Sequence, residues 1–447
     1  MFGLIETGFQ HFYWGNALVI AIGGLFIYLG VARKMEPLLL VPIGFGMILV
    51  NLPLGGVMDY EMMLRAPVEG HVVQVQMVEG EKFKEGDILF ELESGEVIAP
   101  VFGRVDEIKV SPGQRVEAGQ VLASVLTMEQ TDQSVLPTTP VGILSRIFKF
   151  GVMWQFLPPI MFLCLGALTD FGPMLANPKT LLLGAAAQFG VYFAFFMALI
   201  GGFSLAEAAS IGIIGGAEGP TTIYVTSILA PHLIGATAVA CYSYMALVPI
   251  ILPPIIKLLT TKKERAIYMK PQLRHVSKVE KVLFPVMTTV VVILFVPAAA
   301  PLMGLFMVGN LFRECGVTER LSNVSQTSLV DIVTIFLTLA IGASMPAEVF
   351  LRPRTLLIMV LGVVAFASAA AAGVILAKIM NLFSKEKINP MIGAAGVSAV
   401  PMSARVVQVL GQKENPRNFL LMHAMGPNVA GAIGAAIAGG VFLGILG

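Results

Sequence analysis

The chain has 447 residues, of which 56% are hydrophobic and 13% charged, and its mean hydropathy is +0.83. A composition this apolar excludes an ordinary water-soluble protein and predicts an all-α polytopic membrane protein whose main partner is the lipid bilayer. The formal net charge of +1 gives no reason to expect a nucleic-acid partner. Since a bilayer core about 30 Å thick requires roughly 20 apolar residues per crossing helix, each long apolar run is a candidate crossing.

The N-terminal part, residues 1–58, is predicted to be a membrane segment. Its first apolar run, 16–32, ends in Arg33 and Lys34 rather than at a small-residue cleavage site, which favours a retained crossing helix over a signal peptide. The next run, 37–54, is expected to be a re-entrant or in-plane piece.

Residues 59–140 form a predicted soluble insert. Between 66 and 127 there are eleven Asp or Glu and five Lys or Arg, with valines in short alternating runs. The segment APVEGHVVQVQMVEGEKFKEGDILFEL, from Ala66, recurs as APVFGRVDEIKVSPGQRVEAGQVLASV, from Ala99, at an offset of 33. Valine-rich strands that are separated by glycine turns and occur in two repeats predict a small all-β domain with two similar halves.

This doubled pattern resembles the biotinyl/lipoyl carrier domains. The resemblance implies a flattened barrel-sandwich with the modified lysine on the hairpin between the halves. The corresponding hairpin here, ESGEVIAP at 93–100, contains no lysine, and Ser94-Gly95 is predicted to be a tight turn. We therefore interpret 66–127 as a docking or spacer module rather than a biotin carrier. The acidic surface of this module either binds a basic partner or is simply solvated.

The rest of the membrane part is predicted to consist of two repeats, 141–281 and 282–447. ANPKTLLLGAA at 176–186 matches LRPRTLLIMVL at 351–361, an offset of 175. A glycine-interrupted apolar segment follows each match: GIIGGAEGPTT from Gly212 and NPMIGAAGVSAVP from Asn389. Interrupted segments in corresponding places predict inverted repeats with two discontinuous helices near the bilayer midplane.

The charge distribution predicts the orientation. Residues 257–281 contain eight Lys or Arg and two Glu, so this basic loop is expected on the cytoplasmic side of the inner membrane. With 207–229 counted as one of the crossings, the count puts the insert, Arg352 and Arg354 on that same side and Lys179 on the other. An odd number of crossings per half inverts the second repeat, and 302–314 is then a re-entrant or in-plane piece like 37–54.

Glu218 lies inside the first interrupted segment, where an ionised carboxylate costs about 2.5 to 3.5 kcal/mol. Gly215, Gly216, Gly219 and Pro220 interrupt the helix around it, and unwound backbone is tolerated in a membrane only where it lines a cavity or is buried in protein. Carboxylate and carbonyl oxygens suit a small hard cation. We therefore predict a sodium or proton site, with a structural ion pair or a protonated, hydrogen-bonded Glu as the alternative.

Further polar residues accompany the interruptions. Asn389 opens the second one, Ser398 follows its glycines, and Arg405 lies seven residues later, a spacing that predicts the same helical face. Arg405 could bind either the buried acid or an anionic substrate. Asn428 occurs in MHAMGPNVAGAIG and Tyr244 in CYSYMALVP; a lone intramembrane Tyr is more often an interface anchor or a core residue.

The chain resembles the beta subunit of biotin-dependent sodium-pumping decarboxylases, of the oxaloacetate, methylmalonyl-CoA or glutaconyl-CoA type. The resemblance covers nearly the whole chain except the insert and is carried by four segments: FLCLGALTDFGPMLANPKTLLLGAAAQFG, GIIGGAEGPTTIYVTSILAPHLIGATAVACYSYMALVPIILPP, INPMIGAAGVSAVPMSARVV and FLLMHAMGPNVAGAIG. It implies a membrane subunit that decarboxylates carboxybiotin carried by a partner and couples the reaction to sodium export. Implied partners are a biotin carrier protein, a carboxyltransferase subunit and a small membrane subunit, in an oligomeric complex.

Motif and resemblance together assign roles to individual residues. The catalytic set is Glu218, Tyr244 and Arg405; the substrate-binding set is Arg405 and Asn428; the sodium-binding set is Glu218, Asn389, Gly393 and Ser398. In this hypothesis Tyr244 relays a proton that arriving sodium displaces, and Arg405 orients the carboxyl group or neutralises the acid. The family has Asp where Glu218 stands, so the side chain here is one methylene longer, and it usually has Gln at the position of Leu252.

Two alternatives stay open at this level. A sodium- or proton-coupled secondary transporter without decarboxylation would have the same interrupted repeats. A sensor or scaffold would use the acidic insert to bind a partner and the membrane part only as an anchor. The identity of the carboxylated metabolite belongs to another subunit and is not specified by this chain.

Overall fold

The computed structural model describes residues 8–128, 138–270, 274–384 and 386–447. Residues 129–137 of the predicted insert and 271–273 of the basic loop lie outside the described residues. The helices are α1 (Trp14–Arg33), α2 (Pro37–Val50), α3 (Ile143–Ile147), α4 (Leu157–Leu168), α5 (Gly172–Ala176), α6 (Thr180–Ala187), α7 (Phe189–Ile200), α8 (Leu205–Gly212), α9 (Gly219–Leu229), α10 (Ile234–Leu259), α11 (Lys262–Arg265), α12 (Lys278–Phe295), α13 (Ala300–Glu314), α14 (Glu319–Val324), α15 (Val330–Ala343), α16 (Ala347–Phe350), α17 (Pro353–Phe383), α18 (Met391–Ala394), α19 (Met402–Glu414) and α20 (Leu421–Leu446).

Several of these helices have the length and composition of membrane spans. Six stretches in the described chain qualify: Trp14–Arg33, Thr180–Ile200, Pro231–Leu259, Glu319–Ala343, Pro353–Phe383 and Leu421–Leu446. A seventh results if Ile143–Met153 and Leu157–Leu168, which meet at a bend of 66°, are counted as one span. The mostly helical, multi-pass character predicted from composition is therefore present.

The chain divides into two compact units. The first contains the described residues of 1–26 with 43–150 and 339–352, and the second contains 27–42, 151–338 and 353–447. Each is described by itself.

The first unit contains two antiparallel sheets. The strands are β1 (Tyr60–Arg65), β2 (Gly70–Val75), β3 (Lys82–Phe83), β4 (Ile88–Leu92), β5 (Gly95–Ile98), β6 (Gly103–Ile108), β7 (Arg115–Val116), β8 (Val121–Thr127) and β9 (Thr138–Pro140). The strand orders are β3-β6-β8-β1-β9 and β5-β4-β2-β7. Buried side chains such as Met62, Leu89, Val116 and Leu122 form their core.

The 33-residue sequence repeat is visible in these sheets. Strands β2, β3 and β4 begin at residues 70, 82 and 88, and β6, β7 and β8 begin 33 residues later, at 103, 115 and 121. The short strands are exchanged between the halves, because β3 pairs with β6 and β7 pairs with β2. The two halves are therefore interlocked and share one core.

The hairpin between the two halves is short and carries no lysine. Leu92 pairs with Gly95, so Glu93 and Ser94 form the turn, one residue earlier than predicted. The His71 imidazole lies 2.9 Å from the Glu93 carboxylate, and this hydrogen bond lowers the pKa of Glu93. The likeness to carrier domains stays a prediction.

The second unit is organised around α17. Its 31 residues correspond to a length of about 46 Å at 1.5 Å per residue, and it packs against α6, α7, α10 and α18. At the α17–α18 contact a Cβ added to Gly393 would lie 2.1 Å from the Gly373 carbonyl oxygen. Small residues thus let the backbones touch, as is common between helices in membranes. The predicted piece 302–314 lies in α13, which packs against α4.

The order of helices recurs along the chain. A helix, a one-turn helix, a long helix, an interrupted helix and a long helix follow one another as α4, α5, α6–α7, α8–α9 and α10. The same order is found in α15, α16, α17, α18–α19 and α20. This recurrence is what the 175-residue offset predicts.

Candidate cation site between two re-entrant hairpins

The first interrupted segment is a re-entrant hairpin, which we call hairpin 1 (205–229). Helix α8 passes into a 3-10 turn at Ile213–Gly216 and ends there, Ala217 adopts a left-handed conformation with φ +52°, and α9 starts at Gly219. The two ends of the hairpin are held together, since the Glu207 carboxylate lies 3.0 Å from the His232 ring and 3.5 Å from the Arg354 guanidinium. Hairpin 1 therefore returns to the end of the unit at which it entered.

The second interrupted segment is also re-entrant, and we call it hairpin 2 (389–414). It consists of α18, an irregular stretch from 395 to 401, and α19. Its two ends meet at Arg265, whose Nε donates to Glu414 at 2.8 Å and whose carbonyl accepts from Asn389 at 2.8 Å. Arg354 begins α17 and Asn389 follows its end, so the hairpins enter from opposite ends of a helix about 46 Å long.

This geometry corrects the predicted sidedness. Arg274 donates to the Leu175 carbonyl at 3.0 Å, and Lys281 lies 3.5 Å from Asp170. The basic loop thus shares an end with the α5–α6 connection, where Lys179 lies, while Arg354 is at the other end with Glu207. The prediction that Lys179 opposes the basic loop and that Arg354 accompanies it was wrong, because 207–229 does not cross.

The tips of the two hairpins touch each other. The Ser398 amide donates to the Gly216 carbonyl at 3.2 Å, and the Ser398 hydroxyl donates to Glu218 Oε2 at 2.5 Å. Glu218 is 3% exposed and Ser398 1% exposed. The glycines allow this contact, since a Cβ on Gly219 would lie 2.5 Å from the Tyr242 ring. The sequence prediction that the two interruptions meet at Glu218 agrees with this arrangement.

A cavity of about 170 Å³ opens beside the two tips. Its polar wall is formed by Glu218, Ser398, Tyr242 and Glu36, with Thr169 and Thr334. Most of the remaining wall is apolar: Leu38, Leu39, Met161, Phe162, Leu165, Phe306, Val330 and Met402. Within the described residues, the buried hydroxyls of Tyr242 and of Thr221, three residues after Glu218, have no hydrogen-bond partner.

The donor set defines what the site can bind. The groups around Glu218 are a carboxylate and hydroxyls, which are hard oxygen ligands suited to a small hard cation. One carboxylate in an apolar surrounding also attracts a proton, since burial disfavours the charged form. A small cation and a proton are therefore the natural competitors for this carboxylate.

Several of the predicted site residues lie away from Glu218. The Tyr244 hydroxyl donates to the Met359 carbonyl and is not part of the cavity wall. The Asn389 amide holds the basic loop through the carbonyls of Arg265 and Ile267. Gly393 contacts α17 rather than the tips. The structure thus places these groups in packing and anchoring contacts.

Two further predicted residues lie closer to hairpin 2. The Asn428 amide donates to the carbonyls of Ala395 and Val397 at 3.0 and 2.9 Å, so it holds the irregular stretch in place. Arg405 is exposed on α19, and no described residue forms an ion pair with it within 4 Å. The predicted helical face shared by Ser398 and Arg405 does not exist, because α19 begins only at Met402.

Sequence reasoning missed Tyr242 and Glu36. Tyr242 precedes Tyr244 by two residues, which are about 200° apart around a helix. Only one of the two tyrosines can therefore face Glu218. A helical-wheel projection of CYSYMALVP places them on different faces and would have shown that one of them had to be selected. Glu36 follows the basic residues after α1 and carries no motif, so only the structure brings it to the cavity.

Helices that enter a membrane unit from opposite ends and meet at a buried carboxylate define an ion-coupled membrane transport protein. The sequence narrows this class: residues 15–446 match the family of Na⁺-transporting oxaloacetate decarboxylase beta subunits. The chain belongs to this family and is a membrane subunit of a sodium-translocating decarboxylase.

Relatives with different substrates are about equally similar. The chain is 47% identical to the probable oxaloacetate decarboxylase beta chain of Vibrio cholerae, over 98% of this chain and 97% of that one. It is 48% identical to the methylmalonyl-CoA decarboxylase subunit beta of Propionigenium modestum, over 99% and 98%. It is 46% identical to the corresponding subunit of Veillonella parvula, over 99% and 96%. Membership of this family favours decarboxylation-coupled sodium transport over a transporter without decarboxylation.

Proposed function

We propose that this subunit decarboxylates carboxybiotin delivered by a partner subunit and exports sodium through the site between the hairpin tips. The observation that carries the proposal is the contact of Glu218 with Ser398, which joins two hairpins of opposite entry at one buried carboxylate. The complex would contain a biotin carrier protein, a carboxyltransferase subunit and a small membrane subunit, and it would lie in the inner membrane. The metabolite belongs to the carboxyltransferase.

The sodium ion is proposed to bind to the Glu218 carboxylate and the Ser398 hydroxyl. Tyr242, which lines the same cavity, is proposed to supply a third oxygen through its hydroxyl. A hydroxyl that donates to a carboxylate can turn its lone pairs towards a cation when the carboxylate is neutralised by that cation. The apolar wall keeps the ion dry, which strengthens each of these contacts.

The decarboxylation step consumes a proton. The N-carboxyl group of carboxybiotin loses CO₂ when its ring nitrogen takes up a proton, and the loss is favoured in a site that excludes water. We propose that sodium arriving at Glu218 releases the proton needed for this step, so that ion binding and decarboxylation are linked. Tyr242 is better placed than Tyr244 to relay this proton, because the Tyr244 hydroxyl is engaged with Met359.

The membrane part is proposed to be an inverted repeat. The recurring helix order and the opposite entry of the two hairpins support it. With hairpin 1 re-entrant, one crossing fewer separates the insert from the basic loop than the sequence count assumed. The side of the membrane on which the insert lies is tested by a protease accessible from one side of sealed vesicles.

The test of the function uses the complete complex reconstituted in vesicles. We expect carboxybiotin decarboxylation to depend on sodium, and ²²Na⁺ uptake to be blocked by avidin because avidin sequesters the biotin carrier. Decarboxylation indifferent to sodium would contradict the coupling, and uptake indifferent to avidin would favour a transporter without decarboxylation.

A further inference from the structure

The cavity beside the hairpin tips has a second carboxylate besides Glu218. Glu36 lies in the turn between α1 and α2 and is part of the cavity wall. Its backbone has φ +38°, a left-handed conformation that a residue other than glycine adopts only at a cost of about 1 to 3 kcal/mol. The Glu36 carbonyl accepts from the Leu39 and Leu40 amides at 3.0 Å each, so the start of α2 fixes the residue in this unusual position.

The two carboxylates differ in their access to solvent. Glu218 is buried, whereas Glu36 is only partly buried. Glu36 therefore occupies the more open part of the cavity and Glu218 the closed part. A cation that leaves Glu218 by this route passes a wall that is largely apolar, as described above.

A second feature also indicates that the cavity holds a ligand. The Tyr242 hydroxyl belongs to a side chain that is only 2% exposed, and it has no hydrogen-bond partner in the described part of the chain. A buried hydroxyl without a partner costs about 1 to 3 kcal/mol. The Tyr242 hydroxyl therefore marks a place where a cation that contacts its oxygen would gain affinity.

Arg405 supplies the counter-charge. Burial raises the pKa of Glu36, and the charge of Arg405 opposes this shift; as a guanidinium, Arg405 stays charged at every relevant pH. No ion pair within 4 Å joins the two among the described residues, so Glu36 is attracted to Arg405 without being bound by it.

We propose that Glu36 is a second cation-binding carboxylate, through which sodium passes between the open part of the cavity and Glu218. Arg405 attracts the Glu36 carboxylate when no cation is present. This inference rests on the proposed function, in that Glu218 must be the sodium site. Its physical basis is that a fixed negative charge lowers the cost of moving a cation along an apolar wall.

The test compares the rate of sodium uptake with the affinity of the Glu218 site for sodium. In the complete complex in vesicles, Glu36→Gln is expected to lower the rate of ²²Na⁺ uptake about tenfold. The sodium concentration for half-maximal decarboxylation should change less than about threefold, because the Glu218 site remains. Glu36→Asp keeps the charge and should recover most of the rate. Glu319→Gln, an exposed acid at the start of α14, is the matched control and should behave as wild type.

The outcomes separate this inference from the function on which it rests. A wild-type uptake rate in Glu36→Gln overturns the inference, whereas sodium-dependent decarboxylation that survives Glu218→Gln overturns the function. If the complex with Glu36→Gln does not assemble, the Arg405→Gln variant tests the inference instead. Without the competing guanidinium, Glu36 should hold sodium longer, and the sodium concentration for half-maximal uptake should fall about threefold. An unchanged or higher concentration contradicts the proposal.

Discussion

Hairpin 1 and hairpin 2 have the same outline but are held at their bases in different ways. Glu207 joins the ends of hairpin 1 to side chains that are largely exposed, 54% for His232 and 69% for Arg354. Arg265 joins the ends of hairpin 2 and is 8% exposed, against 24% for Glu414. Glu218, the proposed ion ligand, lies on hairpin 1, whose base is the more exposed, and its hydroxyl partner Ser398 lies on hairpin 2. The ionisable side chain and the more buried anchoring contact thus lie on different hairpins.

The largest effect is expected at the acid itself. Glu218→Gln removes the only formal charge at the touching tips, so sodium-dependent decarboxylation of free carboxybiotin should fall by about 100-fold or more. The protein should still assemble, because the amide can accept from Ser398. Glu218→Asp, which keeps the charge, is the control and should retain sodium dependence. Full activity in the Gln variant would remove Glu218 from the mechanism.

The bases of the hairpins should differ in their contribution to stability. Arg265→Ala leaves Glu414 without its partner and removes the guanidinium hydrogen bond to the Thr260 carbonyl, which should cost about 3 kcal/mol or more. His232→Ala removes a largely exposed partner of Glu207 and leaves Arg354 beside that carboxylate, so it should cost about 1 kcal/mol or less. Thermal unfolding of the two purified variants checks this order. Equal losses would mean that the hairpins are held equally firmly.

Gly393 tests whether hairpin 2 needs close packing or a ligand at this position. In Gly393→Ala the new Cβ meets the Gly373 carbonyl, so the α17–α18 contact must open at a cost of about 1 to 3 kcal/mol. The unfolding temperature should fall, while the sodium concentration for half-maximal activity stays near that of wild type. Gly304→Ala is the control, since a Cβ there meets no described atom within 4 Å. A large change in sodium requirement would restore Gly393 as a ligand.

Ser398 tests the contact between the tips. Ser398→Ala removes a hydrogen bond to a carboxylate worth about 1.5 to 3 kcal/mol, so the sodium requirement should rise about tenfold. Ser243→Ala is the matched control, because among the described residues the buried Ser243 hydroxyl bonds only to Val239, in its own helix. Sodium titration of decarboxylation measures both. An unchanged requirement in Ser398→Ala would mean that Glu218 binds the ion without hairpin 2.

The smallest effect concerns the basic loop that anchors hairpin 2. Hydrogen bonds from Arg274 and Ser277 lower the pKa of Glu280 to about 2. Because the folded pKa lies below the usual value, the stabilisation is complete above about pH 4.5 and is lost as the pH falls towards 2. The difference in unfolding temperature between wild type and Glu280→Gln should therefore stay constant from pH 8 to 5 and shrink below about pH 4. A difference that changes near neutral pH would contradict this assignment.

Much of this arrangement could be predicted from the sequence, because its signals are local. Glycines and Pro220 around Glu218 break a helix wherever they occur, and a doubled strand pattern at an offset of 33 specifies two similar halves. The contact of Ser398 with Glu218 followed from placing the two interruptions together.

The rest depends on long-range geometry. Hydropathy does not distinguish a segment that crosses from one that turns back, so hairpin 1 was counted as a crossing and the side of Lys179 was wrong. The place of Arg405 depends on how many residues unwind before α19. Asn389 was assigned to the ion, yet its amide satisfies carbonyls of the basic loop more than 120 residues away in sequence. Hydrogen-bonding requirements of this kind arise from the tertiary fold and leave no pattern in the local sequence.

The bond from the Ser398 amide to the Gly216 carbonyl has a consequence for replacements at the tips. It joins the tips through backbone groups, beside the side-chain bond from Ser398 to Glu218, so of all replacements at position 398 only proline would delete this backbone donor. This backbone contact is therefore independent of the Glu218 and Ser398 side chains that are proposed to bind the ion. A substitution at those side chains can therefore alter ion binding without removing the backbone contact between the tips.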